Sequence, residues 1–195
     1  MKDQWIIKTD LDVKKIDKIV GEYIKSLNPD EHKFISTSGK QSTQYNIFNF
    51  IRNNKDFQYI YDVVLSSVRE VLKGKDINLL NAWTVLGQEG GYHVVHSHDP
   101  NRPFGEDQKI ATVLYLNTAP KSKWQSINED EAGHFYALYY REDKIKYWTH
   151  EPKKGDLLIF PSNMFHGTYP QPKGLWVIFI IGDLFYIKQK FHKLT

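Results

Sequence analysis

The sequence predicts a mainly β protein with α-helices at its N-terminal end, built as a sandwich or jelly roll. Two stretches with helical periodicity lie in the first 77 residues, and seven short strand-like segments follow, separated by glycine and proline. The gaps between these segments are too short for helices, which argues against a parallel βαβ fold. With 195 residues and 41% hydrophobic residues, we expect a single domain over residues 1–195. Residues 1–77 would be mainly helical support, and residues 78–187 would form the jelly-roll core.

The two predicted helices are amphipathic. Thr9 or Asp10 can cap the first, which runs to about Leu27, and the second spans about Lys55–Lys73. Gly74 stands where a left-handed C-terminal cap is expected. The apolar stripes consist of Leu11, Ile16, Val20, Ile24 and Leu27 in the first helix and of Phe57, Tyr61, Val64, Val68 and Leu72 in the second.

Strand-like segments dominate the chain from about Asn78 onward. Pairs such as Gly90-Gly91 and Pro152 with Gly155 separate them. The polar stretch from about His32 to Asn54 fits neither class. The predicted strands are Leu79–Leu86, Tyr92–His98, Lys109–Leu116, Gly133–Tyr140, Lys144–His150, Asp156–Phe160 and Leu175–Ile181.

Composition narrows the functional class. The net charge is only +3 and the lysines are scattered, so nothing indicates a nucleic-acid-binding surface. The absence of cysteine excludes disulfides, thiolate catalysis and zinc sites built from cysteine. The Trp5-Ile6-Ile7 run is too short for a signal peptide, and the Leu175–Ile181 run is too short to span a bilayer. We therefore expect a cytoplasmic protein that is not embedded in a membrane.

Three histidines form a candidate metal site. His96 and His98 are two residues apart, so on an extended strand both point to the same face, and His166 follows 68 residues after His98. Neutral imidazole is the commonest protein ligand of iron, zinc and copper. A His93/His96 pairing is an alternative, and His134 either lines a pocket or packs in the core.

Several segments, taken in order, resemble the iron(II)/2-oxoglutarate-dependent oxygenases. The segment from Asn81 to His98, with Asn81-Ala-Trp83 and Gly90-Gly91-Tyr-His-Val-Val-His96-Ser-His98, is similar to their metal-binding strand. It looks most like a small branch that carries His-x-His where most relatives carry His-x-Asp. Lys109–Asn117 is similar to the next strand of prolyl-hydroxylase-like members. Gly133-His-Phe135 and the segment from Pro152 to Gly174 resemble their later elements.

The resemblance implies a double-stranded β-helix, cupin-like in shape, that holds Fe(II) and uses 2-oxoglutarate as a cosubstrate. In such enzymes the cosubstrate is decarboxylated to succinate and CO2 while the substrate is normally hydroxylated. The implied metal ligands are His96, His98 and His166. Asp99 is the reserve ligand, since a bulge could aim it at the metal in place of His98, or it could hold a ligand imidazole.

The family's usual anchor for the far carboxylate of 2-oxoglutarate is replaced here. Relatives place an arginine or lysine about ten residues after the last histidine, where this chain has Trp176. Trp176 alternates with isoleucines, as a core residue would. Lys173 lies nearby, and Lys109 shares a strand face with Tyr115, so either lysine could supply the cation. The predicted cofactor-binding residues are therefore Lys109, Tyr115, Lys173 and Trp176.

Three functions compete. The first is an Fe(II)- and 2-oxoglutarate-dependent hydroxylase that acts on a small molecule or a peptide. The second is a three-histidine metal dioxygenase that does not use 2-oxoglutarate, which would explain both the missing carboxylate ligand and the missing arginine. The third is a non-catalytic jelly-roll binding module. A cation inside the barrel near the metal would distinguish the first function from the second.

Overall fold

The structure, a computed structural model, describes residues 5–9, 11–26, 41–45, 53–74, 76–87, 89–98, 109–118, 131–141, 143–171 and 178–187. Two helices and ten strands lie within these ranges. The helices are α1 (Val13–Ser26) and α2 (Lys55–Val71). The strands are β1 (Trp5–Lys8), β2 (Gln41–Tyr45), β3 (Ile77–Gly87), β4 (His93–His96), β5 (Lys109–Tyr115), β6 (Phe135–Arg141), β7 (Lys144–His150), β8 (Asp156–Pro161), β9 (Phe165–Thr168) and β10 (Ile178–Ile187).

The strands form two antiparallel sheets. The larger sheet has the order β1-β8-β5-β10-β3-β2, and the smaller has the order β4-β9-β6-β7. From β3 to β10 the chain passes back and forth between the two sheets, which is the connectivity of a double-stranded β-helix. The predicted jelly roll is therefore confirmed. Two strands of the larger sheet, β1 and β2, come from the N-terminal part that was predicted to be mainly helical.

Both helices lie close to their predicted positions, but the first cap is different. The side chain of Asp12 accepts hydrogen bonds from the backbone N–H of Lys14 and Lys15, at 2.9 and 3.3 Å, while Asp10 lies outside the described residues. The hydroxyl of Thr9 is instead turned into the fold, where it donates to the Gly155 carbonyl. Asn54 caps α2 through its side-chain oxygen. The left-handed residue directly after the last turn of α2 is Lys73, with φ of +54°, one residue before the predicted position, and Gly74, with φ of +74°, follows it and donates to the Arg69 carbonyl.

Two apolar layers follow from the alternation of the strands. Leu157 and Ile159 of β8 pack with the helices on the outer side of the larger sheet. Leu158 and Phe160 point to the other side, into the space between the sheets. This explains why β8 is buried along its whole length and is apolar from Leu157 to Pro161. No helix among the described residues is long and apolar enough to cross a membrane.

Candidate metal centre

The ligand strands β4 and β9 lie side by side in the smaller sheet. His96 is the register partner of His166, and His166 is in turn the partner of Ala137 on β6. Residues directly opposite each other in antiparallel strands place their side chains on the same face. His96, His166 and Ala137 therefore share one row, which we call the metal row, on the face that lines the barrel interior.

A β-bulge in β4 separates His93 from His96. His93 is paired with Thr168 and His96 with His166, so two residues of β4, Val94 and Val95, oppose the single residue Gly167 of β9. A spacing of three on a regular strand would put the two histidines on opposite faces. The extra residue cancels this alternation, and the two rings lie 4.7 Å apart, centroid to centroid. The bulge thus lies before the His98-Asp99 position at which the sequence suggested one, and Asp99 itself is outside the described residues.

His98 completes the cluster from just beyond β4. Its backbone N–H donates to the Ser162 carbonyl at 2.8 Å, which fixes the chain after β4 against the turn between β8 and β9. The His98 ring lies 5.1 Å from the His96 ring and 5.0 Å from the His166 ring. One ring nitrogen from each of the three histidines lies within 4.8 Å of the other two. Small ring rotations would let one ion contact all three.

Hydrogen bonds orient two of the three rings. The Nδ1 atoms of His96 and His166 each lie 2.9 Å from a backbone carbonyl oxygen, that of Val94 and that of Met164. Since a carbonyl only accepts, each Nδ1 carries the proton, and each Nε2 presents a lone pair. Such an arrangement is typical of histidine ligands, whose other nitrogen donates to a carbonyl or a carboxylate.

Burial keeps the imidazoles neutral, which is the form that binds metals. Burial, together with the neighbouring His96, lowers the pKa of His98 to about 4 and that of His93 to about 4. The pKa of His166 is also held well below its ordinary value, mainly by burial and despite the bond to Met164. At neutral pH the rings of His93, His98 and His166 therefore carry no charge.

An apolar shell surrounds the buried ligand. Phe135 stacks on the His166 ring with centroids 5.6 Å apart, and Phe160 meets that ring edge-on at 4.7 Å. Trp83 from the larger sheet lies 5.4 Å from the His98 ring. These aromatic rings shield His166 from water and restrict the imidazole orientations.

Gly167, next to His166, is packed tightly on both sides. A Cβ atom at this position would lie 2.5 Å from the hydroxyl oxygen of Tyr136 and 2.7 Å from the backbone oxygen of His93. Only a glycine therefore lets β4 and the Tyr136 ring approach β9 this closely.

A second row of side chains lies one step along the barrel from the metal row. Register places His93, Thr168, Phe135 and His150 in this second row. Two residues of strand separate the rows, or about 7 Å. The ring of His150 reaches across to the larger sheet, where its Nε2 lies 2.9 Å from a carboxylate oxygen of Asp156. The second row thus faces the end of the larger sheet at which Asp156 lies.

Tyr115 occupies that same end of the larger sheet. Its backbone oxygen accepts a hydrogen bond from Gly155, the neighbour of Asp156. Its hydroxyl is fully buried without a hydrogen-bond partner among the described residues. Burial, reinforced by the charge of Asp156, raises the pKa of this phenol, so the hydroxyl stays protonated and can donate.

Lys109 lies at the opposite end of the same strand. Its backbone oxygen accepts from Ser162, whose own carbonyl binds His98. Lys109 and Tyr115 share a strand face, as predicted, but six residues separate them, or about 20 Å. This is the distance between the two Cα atoms, so the two residues lie toward opposite ends of the barrel. Asp99, Lys173 and Trp176 lie outside the described residues.

The sequence of residues 81–174 matches a protein family described as "Putative 2OG-Fe(II) oxygenase". This match includes all three clustered histidines. This part of the chain belongs to the iron(II)/2-oxoglutarate oxygenase superfamily. No curated protein matches the sequence.

Solved structures with the same fold include oxygenases of this superfamily. A prolyl hydroxylase from Trichoplax adhaerens, solved with a hypoxia inducible factor peptide fragment, is 18% identical, with a TM-score of 0.64 over 96% of this chain and 84% of its own. A prolyl-4-hydroxylase from Pseudomonas putida is 16% identical, with a TM-score of 0.62 over 96% of this chain and 94% of its own. HygX from Streptomyces hygroscopicus, solved with nickel and 2-oxoglutarate bound, is 10% identical, with a TM-score of 0.65 over 95% of this chain and 83% of its own. At these identities the likeness establishes the fold.

Proposed function

We propose that this oxygenase binds Fe(II) through His96, His98 and His166 and uses 2-oxoglutarate as its cosubstrate to hydroxylate a small molecule or a peptide. The observation that carries the proposal is the convergence of three imidazoles from two neighbouring segments, with two Nε2 atoms turned away from their hydrogen-bonded Nδ1 atoms. Within an oxygenase family, iron is the metal that such a site would hold.

Two further observations support the cosubstrate. HygX, which shares the fold, has been solved with both a metal and 2-oxoglutarate. In this chain, the buried hydroxyl of Tyr115 lacks a hydrogen-bond partner among the described residues, and a buried polar group left so costs about 1–3 kcal/mol. A carboxylate oxygen of a bound 2-oxoglutarate would accept that bond.

The chain's own residues would prepare the reaction. Bound iron with 2-oxoglutarate supplies dioxygen activation and the oxidising equivalents, with release of succinate and CO2. The three imidazoles would hold the ion, the Val94 and Met164 carbonyls keep two of them in the metal-binding tautomer, and the aromatic rings shield the buried His166. The second row would receive the far end of the cosubstrate.

The proposed activity is tested by turnover of the cosubstrate. Purified protein given Fe(II), ascorbate, oxygen and 2-oxoglutarate should release succinate slowly even without its substrate, because uncoupled turnover needs only the metal and the cosubstrate. Succinate is measured by mass spectrometry, with anaerobic and metal-free samples as controls. Stoichiometric iron binding without oxygen-dependent succinate would contradict the proposal.

One observation favours a second candidate function. All three ligands that the described residues offer are imidazoles, without a carboxylate, as in metal dioxygenases that do not use 2-oxoglutarate. In that case the protein would bind iron and consume oxygen with an organic substrate, while 2-oxoglutarate would have no effect on either process.

The site also predicts which residue binds the cosubstrate. Tyr115→Phe should weaken binding of 2-oxoglutarate to the metal-loaded protein about tenfold to a hundredfold, because the variant loses a hydrogen bond to a charged acceptor. Lys109→Met should have a smaller effect, since Lys109 lies at the other end of the strand. Calorimetric titration under argon measures both affinities. A larger loss for Lys109→Met would instead favour the predicted lysine anchor.

A further inference from the structure

We propose that His93 is a cosubstrate-binding residue, which donates a hydrogen bond to the far carboxylate of 2-oxoglutarate. This inference rests on the proposed function and extends it, because His93 is neither one of the three clustered ligands nor at a position where relatives place their cationic anchor.

The bulge in β4 is what brings His93 into the barrel. His93 is the register partner of Thr168, which is the partner of Phe135. Phe135 is buried between the sheets and contacts the His166 ring, so this face lines the barrel interior. The contact between the His93 and His96 rings independently places His93 beside the metal row. Without the bulge, its ring would lie on the outer face of the smaller sheet.

The depth of His93 matches the length of the cosubstrate. A keto acid chelated in the metal row has its far carboxylate a few carbon atoms away, and the second row begins about 7 Å further along the strands. His93 is a second-row residue, and Tyr115 lies at the facing end of the larger sheet. Both could therefore approach the carboxylate from opposite sheets.

The negative charge of the far carboxylate is the reason why a donor such as His93 is needed in the second row. A carboxylate inside a protein needs hydrogen bonds or a counter-charge. The second row contains no lysine or arginine among the described residues, and the nearby Asp156 is already bonded to His150 and to Lys8. A ring nitrogen of His93 that donates to the carboxylate would add to the bond from the Tyr115 hydroxyl, and bonds to charged acceptors are about twice as strong as neutral ones.

The decisive experiment removes the carboxylate from the ligand as well as the imidazole from the protein. Protein loaded with Mn(II) under argon is titrated by calorimetry with 2-oxoglutarate and with 2-oxopentanoate, which has a methyl group in place of the far carboxyl group. His93→Leu should weaken 2-oxoglutarate binding about tenfold to a hundredfold and leave 2-oxopentanoate binding unchanged. His93→Gln, which keeps a donor, should restore part of the loss. Mn(II) affinity should be the same in all variants.

Val95→Ala, an exposed substitution in the same bulge, is the matched control and should bind both keto acids like the wild type. Equal weakening of both keto acids by His93→Leu, or no weakening at all, would overturn the role of His93 and leave the proposed function intact. A wild-type protein that binds Mn(II) but neither keto acid would instead overturn the proposed function, and the role of His93 with it.

Discussion

Replacement of His96 or His166 by alanine is expected to abolish iron binding at micromolar concentrations. Each variant removes one of three ligands, and the loss should exceed the roughly 10–100-fold effect seen when only a residue that supports a ligand is changed. His96→Ala is the cleaner test, because His96 is only partly buried and its removal should change the free energy of unfolding of the metal-free protein by less than about 1 kcal/mol. Metal analysis after dialysis measures the outcome.

His166→Ala adds a stability effect, because His166 is buried between Phe135 and Phe160. The cavity left behind should cost about 2–4 kcal/mol in the metal-free protein. Comparison with His166→Gln, which fills more of the space, separates that cost from ligand loss. His134→Gln is the control, since His134 is not in the three-histidine cluster. Stoichiometric iron in both alanine variants would show that the ligand assignment is wrong.

Gly167→Ala should disturb the metal centre without touching any ligand. The added methyl group would overlap both the Tyr136 ring and the His93 backbone oxygen. The Tyr136 ring can swing away, but the His93 oxygen belongs to the backbone of β4, so the two ligand strands must separate. We expect a loss of about 1–3 kcal/mol in the free energy of unfolding and weaker metal binding, because His96 and His166 move apart.

Urea unfolding and metal titration together check this expectation. Gly21→Ala is the matched control: Gly21 lies in α1 with nothing within 4 Å of an added methyl group, so alanine should stabilise by about 0.5–1 kcal/mol. The double variant Tyr136→Ala/Gly167→Ala should recover only part of the loss, since the contact with His93 remains. Full recovery would show that the close approach of β4 to β9 is not what requires glycine.

Most of the barrel could be predicted because its strands alternate or are uniformly apolar and end at glycine or proline. Lys144–His150 is a strand over the predicted residues, and Asp156–Pro161 differs from its prediction by one. The strand Phe165–Thr168 was missed, since four residues that include a glycine carry too weak a pattern. The strand Gln41–Tyr45 was missed because its sequence is polar.

The metal ligands of the candidate site could be predicted from the sequence, but the second row of side chains beyond them could not. The spacing of His96 and His98 and the distant His166 predict a cluster, which the structure assembles. A bulge leaves no reliable mark on a sequence, so the inward turn of His93 could be seen only in the strand register. Which end of the strand from Lys109 to Tyr115 lies beside Asp156 likewise follows from pairing between strands, which local patterns do not encode.

The strand β4 stands at the edge of the smaller sheet and has β9 as its one neighbour within the described ranges. A cation bound by both His96 and His166 would cross-link this edge strand to β9. Separation of β4 from β9 would then weaken cation binding. Cation binding would in turn stabilise the pairing of the two strands by the same free energy, because the two equilibria are linked. Retention of iron would thereby depend on the integrity of an edge strand.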